Sequence, residues 1–380
     1  MTSAPNPIGP EEAVARLRAP FEVPRPMTVG VEEELMILDA ATLDLAPRVD
    51  EVLAAVGGDA RFKREMPAAQ VEIAGPVCAT VGEAAAALRA ARADLVAAVD
   101  GAVRFAGAGV HPFAAPHGEL NPGERYAAML AEYGAIARRQ LVFGLHVHVA
   151  VSGADRALAV FNALRGHLPA LAALGASAPF YAGRDTGLAS VRPKICDLLP
   201  RQGVPPAMPT WEALAEALAW GRASGRFPDP AQWWWEARLH PLHGTVEVRV
   251  PDAQATVGDV AAIAAVVHAL VATLAERHDA GEALGAPACW RIAENRWSAC
   301  RHGVEGDWAD PETGRRRPMR DHLEALLDEL TPAADRLGCA DELAAARDLV
   351  RHPRARHARE IAERQGTGAW AVELADRFLG

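Results

Sequence analysis

The stretch TVGVEEELMIL, residues 28–38, has the valine, leucine and isoleucine content of a buried β-strand, yet three consecutive glutamates sit at its centre. Alternate residues of a strand share a face, so Glu32 and Glu34 point to one side, their Cα atoms roughly 6.5 Å apart, and Glu33 points to the other. Two like charges on one half-buried wall are costly unless a cation neutralises them. Hard divalent ions such as Mg²⁺ or Mn²⁺ take carboxylate oxygens as ligands and would do so. The bland alternative is an edge strand with a solvated acidic face.

Three further segments repeat the pattern of ionisable residues inside an apolar strand. Gln70-Val71-Glu72-Ile73 follows Glu65, and each segment places an acid among strand formers. In residues 143–149, FGLHVHV, His146 and His148 alternate with apolar residues and face one side, as metal ligands or as part of a substrate site. In residues 244–251, GTVEVRVP, Glu247 and Arg249 share a face. That pair is either a structural salt bridge or a metal carboxylate beside a guanidinium, an arrangement suited to holding a metal and a phosphoryl group side by side. Each segment alone is weak evidence. Together Glu32, Glu34, Glu65, Glu72, His146 and Glu247 form an oxygen-rich set drawn from sequence-distant strands, which suits two or more hard cations of the kind that neutralise nucleotide phosphates. A cationic group completes the inventory: Arg184 in the loop Gly183-Arg-Asp-Thr-Gly187, Arg192 beyond it, and Arg296 in Glu294-Asn-Arg-Trp297, each a candidate to capture a carboxylate or phosphate. Trp233-Trp-Trp235 reads as packing at an edge or contact.

The 380 residues are half hydrophobic and 23% charged, enough for a sizeable core, and the net charge of −10 argues against nucleic acid as a main partner. Lysine occurs only at Lys63 and Lys194, so no Walker-type Gly-Lys-Ser/Thr exists. The N-terminus shows no apolar signal segment, and the Ala/Val-rich run 260–275 is short for a bilayer span and reads as a buried helix, which points to the cytoplasm and away from membranes. Five scattered cysteines without a C-x-x-C pair fit a reducing compartment. Strands are expected at 28–38, 70–74, 103–108, 141–151 and 245–250. Helices are expected over 83–99, over 122–139 with Asn121 as N-cap, Pro122 at N1 and Glu124 at N3, after Ser152 with a break at Pro169, from a Thr210 cap to Trp220, over 257–277, and from Arg320 onward with turns near Gly338 and Pro353. Polar residues at alternate strand positions favour an antiparallel sheet with one functional face, hence an α+β fold. The simplest division is a Pro-rich opening, 1–26, and one catalytic domain, 27–380, with a helical C-terminal extension over about 310–380.

In their order along the chain, GVEEEL (30–35), VEIAGPVC (71–78), GLHVHV (144–149), GRDTGLASVR (183–192), GTVEVRV (244–250) and ENRW (294–297) resemble the bacterial carboxylate-amine ligases of the type 2 glutamate-cysteine ligase family. The resemblance covers nearly the whole chain from Met27. It implies the glutamine synthetase-like catalytic fold, a curved antiparallel sheet forming a funnel with helices packed outside and metal ions along its inner wall. By that resemblance Glu32, Glu34, Glu65, Glu72, His146 and Glu247 match metal-binding positions, Arg249 matches an arginine that contacts ATP phosphate, and Arg184 and Arg192 correspond to substrate-side arginines. His148 is then a substrate-side group and Arg296 a nucleotide-side one. A homodimer is compatible with the resemblance.

The function expected is an ATP- and Mg²⁺-dependent (or Mn²⁺-dependent) ligase that joins an amino-acid carboxylate, the γ-carboxylate of glutamate foremost, to an amine through an acyl phosphate. Its catalytic groups would be Arg249 and Glu247. Two other classes compete. A metal-dependent hydrolase of the amidohydrolase type also begins its zinc site with His-x-His and would need His240 and His243 as further ligands. A non-catalytic ATP or amino-acid sensor could use the same fold.

Overall fold

The strand that carries the glutamates is the hub of the sheet. In the computed structural model, which describes residues 9–227 and 232–380, β1 (Val29–Asp39) pairs antiparallel with three neighbours. These are β3 (Gln70–Ala74), β4 (Val103–Ala106) and β5 (Leu145–Ala150). With β2 (Phe62–Arg64), β8 (Ala237–His240) and β9 (Thr245–Val248) they form a seven-stranded sheet in the order β2-β3-β1-β5-β9-β8, β4 standing off this path beside β1. Every pairing in it is antiparallel, as the alternating polar residues led us to expect. Two small hairpins stand apart, β6–β7 (Phe180–Tyr181 and Arg184–Asp185) and β10–β11 (Asp307–Ala309 and Arg316–Pro318).

β1 separates two environments by its pleat. Val29, Val31, Leu35 and Ile37 are buried in the main apolar cluster, against residues of the helices Val81–Val99, Ala154–Leu164 and Val257–Asp279. Glu32 and Glu34 face the other way. Further along that second face, Met36 and Leu38 are covered by Ala358, Ile361, Trp370 and Leu374 of the helices Arg354–Gln365 and Thr367–Asp376. The C-terminal helices are therefore built into the core, closing one end of the functional face and leaving the end with the glutamates open.

Local sequence explains most helix boundaries. Thr80 accepts a hydrogen bond from the Glu83 amide while the Glu83 carboxylate accepts from the Ala79 amide, a reciprocal cap that starts the helix Val81–Val99. Thr210 and Thr256 cap the helices Trp211–Ala223 and Val257–Asp279 by accepting from the amides of Ala213 and Asp259. Pro169 falls in the first turn of a new segment, Leu168–Leu174, so the break expected there is present. The helix Val257–Asp279 is long and apolar enough to cross a membrane, but it is wrapped by protein and serves as a core helix.

Some expectations are corrected. Asn121 is not a helix cap: its side-chain amide donates to the carbonyls of Glu65 and Pro67, and the helix begins at Glu124 after Gly123, whose φ of 129° belongs to glycine. That helix ends at Tyr133, and a 3₁₀ segment continues to Arg139. The strands expected over 103–108, 141–151 and 245–250 are shorter, at 103–106, 145–150 and 245–248, and Gly144 joins the sheet only through an isolated bridge to Asp252. Within the opening segment, residues 10–22 form a helix whose Phe21 packs on Trp211 at 5.3 Å between ring centroids.

Glu33 has a role that its neighbours do not. It is completely buried, and so is its partner Arg92 on the helix Val81–Val99. Arg92 contacts both carboxylate oxygens and also donates to the carbonyls of Gln254 (2.9 Å), Ala255 (3.0 Å) and Phe378 (2.8 Å). Burial pushes the Glu33 carboxyl up, and the guanidinium opposes that shift. Breaking a buried pair leaves one charge uncompensated. Arg92→Met is expected to lower the unfolding free energy by about 3–5 kcal/mol in a urea titration; a loss below about 1 kcal/mol, the range of exposed pairs, would contradict this account.

Candidate functional site

Strand register brings the sequence-distant acids together. Pairing sets Glu32 opposite His146 and Glu34 opposite Glu72, while Lys63 also stands opposite Glu72. On the other side His148 lies opposite Glu247, and Arg238 opposite Glu247. Directly paired residues of an antiparallel ladder point to the same face, so six strands deliver these groups to one surface. That surface is the floor of a cavity of about 430 Å³. Glu32, Glu34, Glu65, Glu72, His146, Arg192 and Arg249 line it, and the segments carrying Arg125, Tyr126, Trp234 and Glu236 wall it.

The acids divide into two groups around His146. In the first, Glu32, His148 and Glu247 offer ligand atoms that all lie within 4.8 Å of one another. His148 Nε2 stands 3.6 Å from Glu32 and 3.8 Å from Glu247, too far for hydrogen bonds, and it is buried without a partner. Its Nδ1 is 3.0 Å from the Thr245 hydroxyl. Ligand atoms sharing one ion at about 2.1 Å stand roughly 3 to 3.5 Å apart, so a divalent cation fits this group with little adjustment. In the second group, Glu34 is oriented by the Gly144 amide, which donates to its Oε2 at 2.5 Å. Burial, then the neighbouring carboxylates Glu65, Glu32 and Glu34, push Glu72 up to about 8. Burial and Glu34 push Glu65 up as well. Carboxylates crowded in this way are a set that a divalent cation could bind in place of protons.

The cations are placed just as specifically. Glu247 is fully buried; burial disfavours its charge, but Arg249 and Arg238 flank it and hold its carboxyl far below the usual range. Arg249 reaches Glu247 at 2.5 Å and stands 3.3 Å from His146 Nδ1. Burial and then Arg249 keep His146 neutral, although Glu32 lies 3.5 Å and Glu34 3.9 Å away. Arg192 enters the wall by donating to the carbonyls of Val250, Pro251 and Arg249. A Cβ at residue 144 would stand 2.3 Å from Arg192 Nη2, so only glycine lets Arg192 and Glu34 approach there.

The structure thus gathers all six residues expected to bind metal, together with Arg249 and Arg192. It places the two histidines differently: His148, expected on the substrate side, stands with Glu32 and Glu247, whereas His146 stands between Glu32, Glu34 and Arg249. Arg296 does not line the cavity but grips Glu236, which does, through contacts of 2.8 and 3.0 Å. Arg184 is not brought in either. It is exposed on the β6–β7 hairpin, which is drawn outward because Asp185 pairs with Arg359 of the C-terminal helices. Sequence reasoning missed Arg238, Arg125, Tyr126 and the cavity position of Trp234. Lys63 was legible in principle, since it lies two residues before Glu65 on the same strand face. His240 and His243 stack on each other at 4.2 Å, and the open antiparallel sheet is not the parallel barrel of an amidohydrolase, so the hydrolase alternative is set aside.

Comparison with known proteins agrees with this geometry. The model of glutamate-cysteine ligase family 2 matches residues 28–376. A Rubrobacter xylanophilus protein provisionally named glutamate–cysteine ligase 2-3 is 40% identical over 337 residues, 87% of this chain and 91% of that protein. A Thermobifida fusca protein provisionally named glutamate–cysteine ligase 2 is 35% identical, covering 91% of this chain and 89% of that one. Among solved structures, glutamate–cysteine ligase from Francisella tularensis in complex with AMP has the same fold, with a TM-score of 0.68 at 13% identity, covering 94% of this chain and 89% of that one. A bifunctional glutathione synthetase from Pasteurella multocida aligns with a TM-score of 0.62 at 13% identity, over 96% of this chain and 53% of that one.

Glu72 makes cation binding at this site testable through stability. Its carboxyl titrates near 4.5 when unfolded and near 8 in the metal-free fold, so the stabilisation from its bound proton is full at low pH and is lost as pH rises through about 8. Metal-free protein is therefore expected to lose Tm between pH 5 and pH 8, and Mg²⁺ to raise Tm more at pH 8 than at pH 5. Glu72→Gln should flatten both dependences; an unchanged slope in that variant would remove Glu72 from the account.

Proposed function

The chain belongs to glutamate-cysteine ligase family 2, and we propose from that premise that it joins the γ-carboxylate of glutamate to an amine, coupled to cleavage of ATP to ADP and phosphate. The observation that carries this reading is the convergence of Glu32, Glu34, Glu65 and Glu72 with Arg249 in one cavity. A carboxylate is a poor electrophile with no competent leaving group. Activation requires its oxygen to attack the γ-phosphorus of ATP, breaking the bond to the β-phosphate oxygen and releasing ADP. The resulting acyl phosphate is then attacked at carbon by the amine nitrogen; the carbon–oxygen bond to phosphate breaks, phosphate departs, and the amine loses a proton as the amide forms.

Glu32, His148 and Glu247, and Glu34, Glu65 and Glu72, would hold Mg²⁺, which when bound would supply positive charge against the phosphates. The chain's own groups do the remaining work. Arg249 presents a guanidinium already locked by Glu247, so it meets negative charge developing on a phosphoryl group without reorganising. His146, neutral and wedged between Glu32 and Glu34, spaces the two acid groups without adding charge. ATP as substrate and five free cysteines suit the cytoplasm.

The test is ADP formation from ATP and Mg²⁺ in the presence of glutamate and a panel of amines, cysteine among them, with product mass recorded. Stimulation by one pair, with the corresponding γ-glutamyl amide, is expected; ADP release indifferent to every pair would end this reading. Glu34→Gln should abolish turnover while leaving Tm within a few degrees. Arg249→Ala should lower kcat by about 10²–10³-fold, the cost of removing one preorganised donor. Arg249→Lys should not restore it, because a point charge does not reproduce the guanidinium fork.

A further inference from the structure

We infer that the indole of Trp234 is the shelf on which the purine base of the nucleotide stacks, an inference that rests on the ATP-dependent reading of the site. Trp234 lines the cavity and lies two residues before Glu236, whose carbonyl accepts the Arg249 amide at 2.8 Å. The indole therefore belongs to the wall beside Arg249, the guanidinium that in the proposed reaction faces the phosphates.

What stands behind the indole sets its chemistry. The Arg201 guanidinium lies between the rings of Trp234 and Phe227, 5.2 Å from each centroid. It donates to the Tyr133 hydroxyl at 3.0 Å and to the Gln232 carbonyl at 3.0 Å, and Tyr133 meets Trp234 edge-on at 6.0 Å. Arg201 has a φ of 59°, a left-handed conformation that a long side chain adopts only where its surroundings over-determine it. The cluster thus fixes the indole at a local backbone cost. A cation on one ring face draws π density toward itself. The face left for the cavity then suits a planar π-system and disfavours a second cation, so a purine fits there better than the ammonium form of an acceptor amine. Stacking of this kind is strong and needs no hydrogen-bond match.

Nucleotide binding by equilibrium dialysis with Mg²⁺ tests the assignment. Trp234→Ala is expected to weaken ADP and ATP binding about 10- to 100-fold, while the KM values of glutamate and the amine stay within about twofold. Trp234→Phe, which keeps a ring, should stay within a few-fold of the parent. A second readout does not depend on turnover: ADP should quench the tryptophan emission of the parent protein, and Trp234→Phe should lose that quench while still binding. Unchanged nucleotide affinity in Trp234→Ala, or a quench that survives in Trp234→Phe, would overturn the inference; a raised amine KM alone would assign the indole to the acceptor. A parent protein that binds no nucleotide would overturn the ligase reading itself.

Discussion

The buried pair of Glu33 and Arg92 is the interaction on which the rest of the molecule depends. Two charges removed wholly from water are tolerable only when every polar atom is matched, and Arg92 meets that demand with the Glu33 carboxylate and the carbonyls of Gln254, Ala255 and Phe378. Those partners belong to the central strand, the segment entering the long core helix, and the C-terminal end. Its directional consequence matters more than its strength. Because Glu33 must point into the core to meet Arg92, the pleat obliges Glu32 and Glu34 to point away from it. A register slip of one residue would drive two carboxylates into the apolar cluster and strand Arg92, so the functional face of β1 is specified by the structural face.

Charge is distributed unevenly across the cavity, and the unevenness is chemical information. Glu247 has two arginines in direct contact, whereas in the other group Lys63 stands 3.4 Å from Glu72 and Arg125 and Arg249 act on Glu65 only through their fields. In the proposed reaction the first end would meet phosphate and the second a cation. Gly144 joins the two ends, since its missing side chain lets Arg192 pack against the backbone that orients Glu34. The C-terminal helices cover the same face beyond Met36, which is why the acids occur only where the sheet is left open.

The site proved more legible than its surroundings. Period-two alternation placed Glu32, Glu34, Glu72, His146, Glu247 and Arg249 on strand faces, and strand faces are conserved by register when sheets assemble. Arg92 carried a readable signal too: in the helix Val81–Val99 it falls on the stripe of Ala84, Leu88, Ala91 and Leu95, and an arginine there requires a buried acid. The failures share one cause. Arg184 and Arg296 were judged by residue type and loop context, but Asp185–Arg359 and Glu236–Arg296 are contacts over long sequence separations, and only they decide whether an arginine faces a ligand or another residue. Trp234 was read as packing because nothing local reveals that Arg201 would pin it to a cavity wall.

By itself the sequence determined the α+β class, the antiparallel sheet, the acidic set and the family resemblance, since each follows from periodicity or from short motifs whose residues act as neighbours. Tertiary structure alone decided which histidine stands with Glu32 and Glu247, which arginines reach the cavity, and that Glu33 is a structural residue amid functional ones. The physical reason is that a strand fixes the side toward which a side chain points, while the distance and partner it finds there depend on elements folded in from elsewhere in the chain.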